Sequence, residues 1–158
     1  MKVGITGHQH RAGIRWEWVA AAIRAELASL AEGASALSSL AAGADQVFAD
    51  VALDLRMPLI AVLPLENYER FFEGAALQNY RRLVQRSQVV ELKGSGDPEH
   101  AFFDAGKYIV SASDLLIAVW DGEQAEGLGG TGDVVKYAQE QRRGIVHLNP
   151  CTEVISRL

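Results

Sequence analysis

Three glycine-bearing segments hold most of the chemically capable groups in this 158-residue chain: Thr6-Gly7-His8-Gln9-His10-Arg11, Ser38-Ser39-Leu40-Ala41-Ala42-Gly43-Ala44-Asp45 and Gly127-Leu128-Gly129-Gly130-Thr131-Gly132-Asp133. Adjacent glycines let backbone amides approach a ligand without Cβ obstruction, so Gly129, Gly130 and Gly132, with the Thr131 hydroxyl, suit an anion such as phosphate. The competing reading of that segment is a surface loop with a helix cap from Thr131 or Asp133. Thr6, Gly7 and His8 offer donors of several kinds around a close turn. Ser39, Ala41, Gly43 and Asp45 combine small residues with a carboxylate. Asp45 has two readings, an N-cap for the helix that follows or an acceptor for a ribose hydroxyl or a base amine. The His8-x-His10 spacing has no accompanying cluster of Cys, Asp or Glu, so no metal site is assigned.

Other candidates are weaker. Asp121-Gly122 closes an apolar run and joins the ligand-binding set. The guanidinium of Arg82 is a possible phosphate contact, against the alternative that Arg81, Arg82 and Arg86 form a solvated basic helix face. His100 reads as a helix-surface residue and His147 as a satisfied strand residue. Trp16, Trp18, Phe102 and Phe103 recur at helical spacing, which favours packing or oligomer contacts over a base-stacking platform.

The elements that position these groups are legible from periodicity. Apolar runs of about five residues alternate with stretches of 3.6-residue period, the pattern of parallel strands joined by crossover helices. Strands are predicted at 2–6, 36–40, 57–63, 88–92, 115–120 and 145–148. Helices are predicted from Trp16 through Leu30, after Asp45 to Leu55, at 66–72, at 76–86, from Pro98 to Ala112, and from Thr131 or Gly132 to Gln141. A loop is predicted at 94–98. The fold class is therefore α/β: one doubly wound, Rossmann-like domain over 1–158, with a mainly parallel sheet of about six strands and helices on both faces. Ligands in such sheets sit beyond the carboxyl ends of the strands. The three segments fall there, each before a helix whose N-terminal amides and dipole attract an anion.

Composition narrows the partners. Fifteen Lys plus Arg against 20 Asp plus Glu leave a formal charge of -5, so no global positive field draws in a polyanion, and nucleic acid is a disfavoured partner. A local patch around Arg81, Arg82 and Arg86 would run against that expectation. The lone Cys151 forms no intrachain disulfide, no signal-like segment opens the chain, and no apolar run approaches the roughly 18 to 20 residues that span a bilayer. A cytoplasmic protein without membrane association is expected.

Taken together, Ile5-Thr6-Gly7-His8, Ser39-Leu40-Ala41-Ala42-Gly43-Ala44-Asp45 and Gly129-Gly130-Thr131-Gly132-Asp133 resemble the SMF/DprA-LOG (SLOG) superfamily of Rossmann-like proteins. The middle element is similar to the S-G-x-A-x-G-x-D motif of the DNA-processing branch, with Leu40 where a glycine stands. The last resembles the G-G-x-G-T-x-x-E signature of the LOG phosphoribohydrolases, which cleave the N-glycosidic bond of nucleoside monophosphates. Here Asp133 replaces the threonine and Lys136 the catalytic glutamate, and a lysine cannot stabilise a developing oxocarbenium charge or act as that nucleophile. The nucleoside deoxyribosyltransferases, with a related G-T-x-x-E element, meet the same objection. The resemblance also implies a homo-oligomer, with Trp16 or Trp18 available for the contact.

The function expected is binding of a nucleotide or nucleotide-derived phosphate ligand, as a sensor or binding protein with no required cofactor. The alternative is a nucleotide N-glycosidase, phosphoribohydrolase or deoxyribosyltransferase-like enzyme that uses a displaced carboxylate from Asp45, Asp121 or Asp133. No catalytic residue is assigned. DNA binding by analogy with the DNA-processing branch ranks third.

Overall fold

A computed structural model describes residues 1–9, 11–94, 96–125 and 127–158. His10, the second histidine of the spaced pair, and Ser95 of the 94–98 loop lie outside the described residues. The chain runs β1 (Lys2–Gly7), α1 (Trp16–Ala28), β2 (Ser35–Ser38), α2 (Ala44–Asp54), β3 (Leu59–Leu63), a 3-10 turn (Tyr68–Phe71), α3 (Gly74–Gln85), β4 (Gln88–Glu91), α4 (Pro98–Ala112), β5 (Leu115–Val119), α5 (Thr131–Glu140), β6 (Gly144–Asn149) and β7 (Val154–Arg157). The strands form one sheet in the order β4-β3-β2-β1-β5-β6-β7. All pairs are parallel except β6 with β7.

Side chains alternate across the sheet, as a two-residue period requires. Val3 and Ile5 of β1 and Ile117 and Val119 of β5 join one buried cluster with Val19, Ile23 and Leu27 of α1 and Phe48, Ala49 and Ala52 of α2. Leu116 and Ala118 of β5 join the opposite one, with Ala105, Ile109 and Val110 of α4 and Val134, Val135 and Ala138 of α5. Helices α1 and α2 therefore cover one face and α4 and α5 the other. The chain leaves β1 over the first face and both enters and leaves β5 over the second. The crossovers diverge between β1 and β5, and the crevice of a doubly wound sheet opens there.

The α/β architecture is as expected, with seven strands in place of about six. The additional strand, β7, returns antiparallel on β6 with Asn149 opposite Val154 and Val146 opposite Arg157. All four of its residues are exposed, so it carries no inward apolar face to mark it in the sequence. Its surroundings hold it: Arg15 donates to Glu153 at 2.5 and 2.8 Å, and Arg157 donates to Glu26 at 3.1 and 3.3 Å. The region 66–72 forms a single 3-10 turn where a helix was expected, too short a piece to bury a helical face. Among the described residues, no helix is long and apolar enough to cross a membrane.

Candidate functional site

At the carboxyl ends of the strands, the loops after β1, β2, β3 and β5 and the start of α5 enclose an open cleft of about 710 Å³, within the range of small-molecule sites. Of the residues anticipated from sequence, Thr6, Gly7, His8, Ser39, Ala41, Asp45, Asp121, Gly129, Gly130, Thr131 and Gly132 line it. Gly43, Gly122, Asp133 and Arg82 do not. Gln9, Arg11, Tyr68, Phe71, Phe72, Phe102 and Trp120 line it as well. Phe102 thus faces the cleft besides packing in its helix.

The first two loops are locked together by close packing. The Ala44 N–H donates to the His8 carbonyl at 3.0 Å. Gly43 makes that approach possible: its φ is +91°, and a Cβ there would lie 2.6 Å from both the His8 carbonyl oxygen and Gln9 Cα. At Gly7 a Cβ would lie 2.5 Å from that of Ala44. Gly43 therefore shapes the site from beneath. Ser38, fully buried, accepts from Leu40 N–H at 3.0 Å and donates to the Asp45 carbonyl at 3.1 Å. Leu40 is buried with φ +60°, a left-handed conformation that accounts for glycine at this place in the motif it resembles.

Asp45 is not the N-cap of α2; that place belongs to Gly43. The carboxylate sits inside the first turn, 8% exposed, and reaches back to accept from Ala41 N–H at 3.3 Å. Burial pushes its pKa from 3.8 up to about 7, with the Ala41 bond opposing. Among the described residues, Ala41 is the only hydrogen-bond partner of the carboxylate. The neighbouring Tyr68 hydroxyl is raised well above its ordinary value by burial and then by the charge of Asp45.

Across the cleft, His8, Arg11 and Asp121 form a charged group. Arg11 donates to the Asp121 carboxylate at 2.5 Å, while His8 Nε2 accepts from Asp121 N–H at 3.0 Å and lies 3.3 Å from the carboxylate. Burial, then the Arg11 charge, lower the His8 pKa, which agrees with a neutral ring whose Nε2 is an acceptor. Burial alone would raise the Asp121 carboxyl, but the Glu123 N–H, Arg11 and His8 together hold it below its ordinary value. His147 accepts no role in the cleft: its Nε2 lies 2.7 Å from the Trp120 carbonyl. His100 is exposed beside Asp97, the cap of α4.

The 127–132 loop delivers the start of α5. Gly130 is the N-cap and makes no side-chain cap bond, and Asp133 and Val134 N–H donate to its carbonyl at 3.0 and 3.3 Å. Asp133 does not line the cleft and accepts from the N–H of Gly129, which does, at 3.0 Å. The amides of Thr131 and Gly132 are left without a protein partner among the described residues. The loop also needs its glycines for its own packing: a Cβ on Gly130 would lie 2.9 Å from that of Ala125, and one on Gly132 2.9 Å from Ala125 N. Lys136 is exposed on α5 outside the cleft.

Arg82 is spent elsewhere. Its guanidinium pairs with Asp50 and donates to Asn79 Oδ1 at 2.7 and 3.1 Å, while Arg81 pairs with Glu69 at 3.1 Å. Helix α3 leads to the outer strand β4, away from the β1/β5 crevice. Arg11, on the loop after β1, is the arginine that reaches the cleft. Among the described residues, no three His, Cys, Asp or Glu side chains stand together as a metal site.

No family model and no curated protein matches the chain. Three solved structures are similar in fold. DNA processing protein A from Helicobacter pylori, studied for its single-stranded DNA binding mode, aligns with a TM-score of 0.67 at 20% identity over 94% of this chain and 65% of its own. DNA processing protein A from Streptococcus pneumoniae aligns with a TM-score of 0.66 at 20% identity over 94% of this chain and 50% of its own. The TM1055 protein aligns with a TM-score of 0.60 at 13% identity over 94% of this chain and 74% of its own. At these identities the likeness establishes the fold. This chain spans under two thirds of the first protein and half of the second. One expectation is overturned: a net charge of -5 does not set nucleic acid aside, because a closely similar fold belongs to a protein with a single-stranded DNA binding mode. Whole-chain charge is a sum, whereas a strand end presents local amides and side chains.

Proposed function

We propose that the cleft binds a nucleotide or nucleotide-derived phosphate ligand and that the protein works as a binding or sensor protein. The observation carrying this reading is the convergence, at the divergence of crossovers between β1 and β5, of the Thr131 and Gly132 amides, unpartnered among the described residues, with the Thr131 side chain and Arg11. An anion there gains hydrogen bonds and the positive end of α5. The guanidinium of Arg11 keeps donors beyond the one given to Asp121. Thr6, 8% exposed and with no side-chain partner among the described residues, adds a hydroxyl.

Thermal-shift and calorimetric screens of nucleoside mono- and diphosphates, dinucleotides and ribose 5-phosphate test the reading. A ligand at a hundred times its Kd stabilises the protein by about 2.7 kcal/mol. Arg11→Ala is expected to weaken binding by about tenfold with about 1 kcal/mol of stability lost, because the Arg11 side chain is 46% exposed although its partner Asp121 is not. Absence of a shift with every phosphate compound removes the proposal. A single-stranded oligonucleotide presents the same phosphate and base groups, and the likeness to the Helicobacter pylori protein makes it a natural arm of the screen. The hydrolytic reading retains two groups in place, the carboxyls of Asp45 and Asp121, both lining the cleft. Release of free base from a nucleoside monophosphate would replace the binding reading with that one.

A further inference from the structure

The side of the cleft formed by the segment after β3 differs from the rest. Tyr68, Phe71, Phe72 and Phe102 line it together. Tyr68 meets Phe72 edge-on at 5.0 Å and Tyr80 edge-on at 5.5 Å, Phe72 stacks on Tyr80 at 4.4 Å, and Phe71 meets Phe102 edge-on at 5.2 Å. These contacts fix the rings of Tyr68 and Phe72. Phe71 nonetheless stays 44% exposed, with the Arg70 guanidinium 4.9 Å from its ring centroid. Large exposed rings in a concave site are apolar area that a ligand can cover.

Asp45 lines the same cleft, and its charge acts on Tyr68 in this aromatic group. It is more than nine-tenths buried, with Oδ2 engaged by Ala41 N–H and Oδ1 without a protein partner among the described residues. Burial raises the proton affinity of this carboxyl, and in its protonated form it presents an O–H donor beside a carbonyl acceptor. The hydrogen-bonding edge of a nucleobase carries the complementary pair, and its flat faces match the rings. We infer that Asp45 and the rings of Phe71, Phe72 and Phe102 form a subsite for a planar nitrogen heterocycle, the base of the ligand, with Asp45 reading its edge. This rests on the phosphate-binding reading above and assigns the base to the β2/β3 side of the cleft, opposite the start of α5.

Calorimetry with two probes, a nucleoside 5′-monophosphate and ribose 5-phosphate, tests it. The nucleotide is expected to bind at least about tenfold more tightly, since stacking on one aromatic face alone is worth about fivefold to a hundredfold. Phe71→Ala and Asp45→Leu are each expected to reduce that ratio about fivefold or more while ribose 5-phosphate binds as before, and Asp45→Asn, which keeps a donor and an acceptor, to restore most of it. Phe71 is exposed, so its variant folds irrespective of how Asp45→Leu behaves. Equal affinity for the two probes, or variants that weaken both equally, would overturn the subsite and leave the phosphate site standing. Failure of both probes to bind would overturn the subsite together with the phosphate reading.

Discussion

Replacing Asp45 by asparagine probes the electrostatics of the cleft directly. The carboxyl is 8% exposed and takes one hydrogen bond, from Ala41 N–H at 3.3 Å. Burial outweighs that bond and lifts its pKa from 3.8 to about 7. Between those two values the folded protein holds a proton that the unfolded chain has released, so stability falls as pH rises through this window. Below pH 3.8 the group is neutral in both states; above about pH 7 the whole cost is present. At about 1.4 kcal/mol for each tenfold change in proton affinity, that cost is about 4 kcal/mol. Asparagine keeps an oxygen for Ala41 N–H and does not ionise. Urea denaturation of the two proteins between about pH 4 and about pH 8 is expected to show the variant gaining about 4 kcal/mol on the parent, with the other carboxylates cancelling in the difference. A difference that stays constant over this range would refute the claim that Asp45 is buried at the cost of its charge.

Two further substitutions test the frame of the site. Leu40→Gly relieves a left-handed conformation worth roughly 1 to 2 kcal/mol but empties a fully buried leucine site, a larger loss of about 3 to 5 kcal/mol, so the variant is expected to melt at a lower temperature. A rise in Tm would show that packing at Leu40 contributes little. Gly43→Ala drives a methyl group to 2.6 Å from the His8 carbonyl oxygen in a positive-φ conformation, and is expected to cost about 2 kcal/mol or more and to weaken ligand binding with it. Unchanged denaturation midpoints and affinity would show that the loops after β1 and β2 are not locked together as described.

Much of the fold is readable without coordinates, for a physical reason. Helix α4 runs from Pro98 to Ala112 as its spacing predicts, because proline at the first helical position and an apolar stripe are local signals. Strand β2 stops at Ser38, two residues short of the apolar run, because Leu40 takes a left-handed turn that hydropathy does not reveal. Strand β7 has no buried face to betray it. The aromatic side of the cleft was missed for a different reason: Phe71 and Phe72 sit in a polar stretch about thirty residues from Phe102, and only packing against one another brings them to the site.

The residues by themselves determined that short apolar runs alternate with amphipathic helices, hence a parallel sheet with glycine-bearing loops at its strand ends. Each such signal records how one element buries its own surface. Strand order is a different matter, since it depends on pairing between distant segments. Only the tertiary structure placed β1 beside β5 and so brought Thr6, His8 and Arg11 together with Asp121 and Thr131. It also decided that Arg82 is spent on Asp50 while Arg11 reaches the cleft. The raised pKa of Asp45 belongs to that second kind of information, because desolvation is set by everything packed around a carboxyl and by nothing in its immediate sequence.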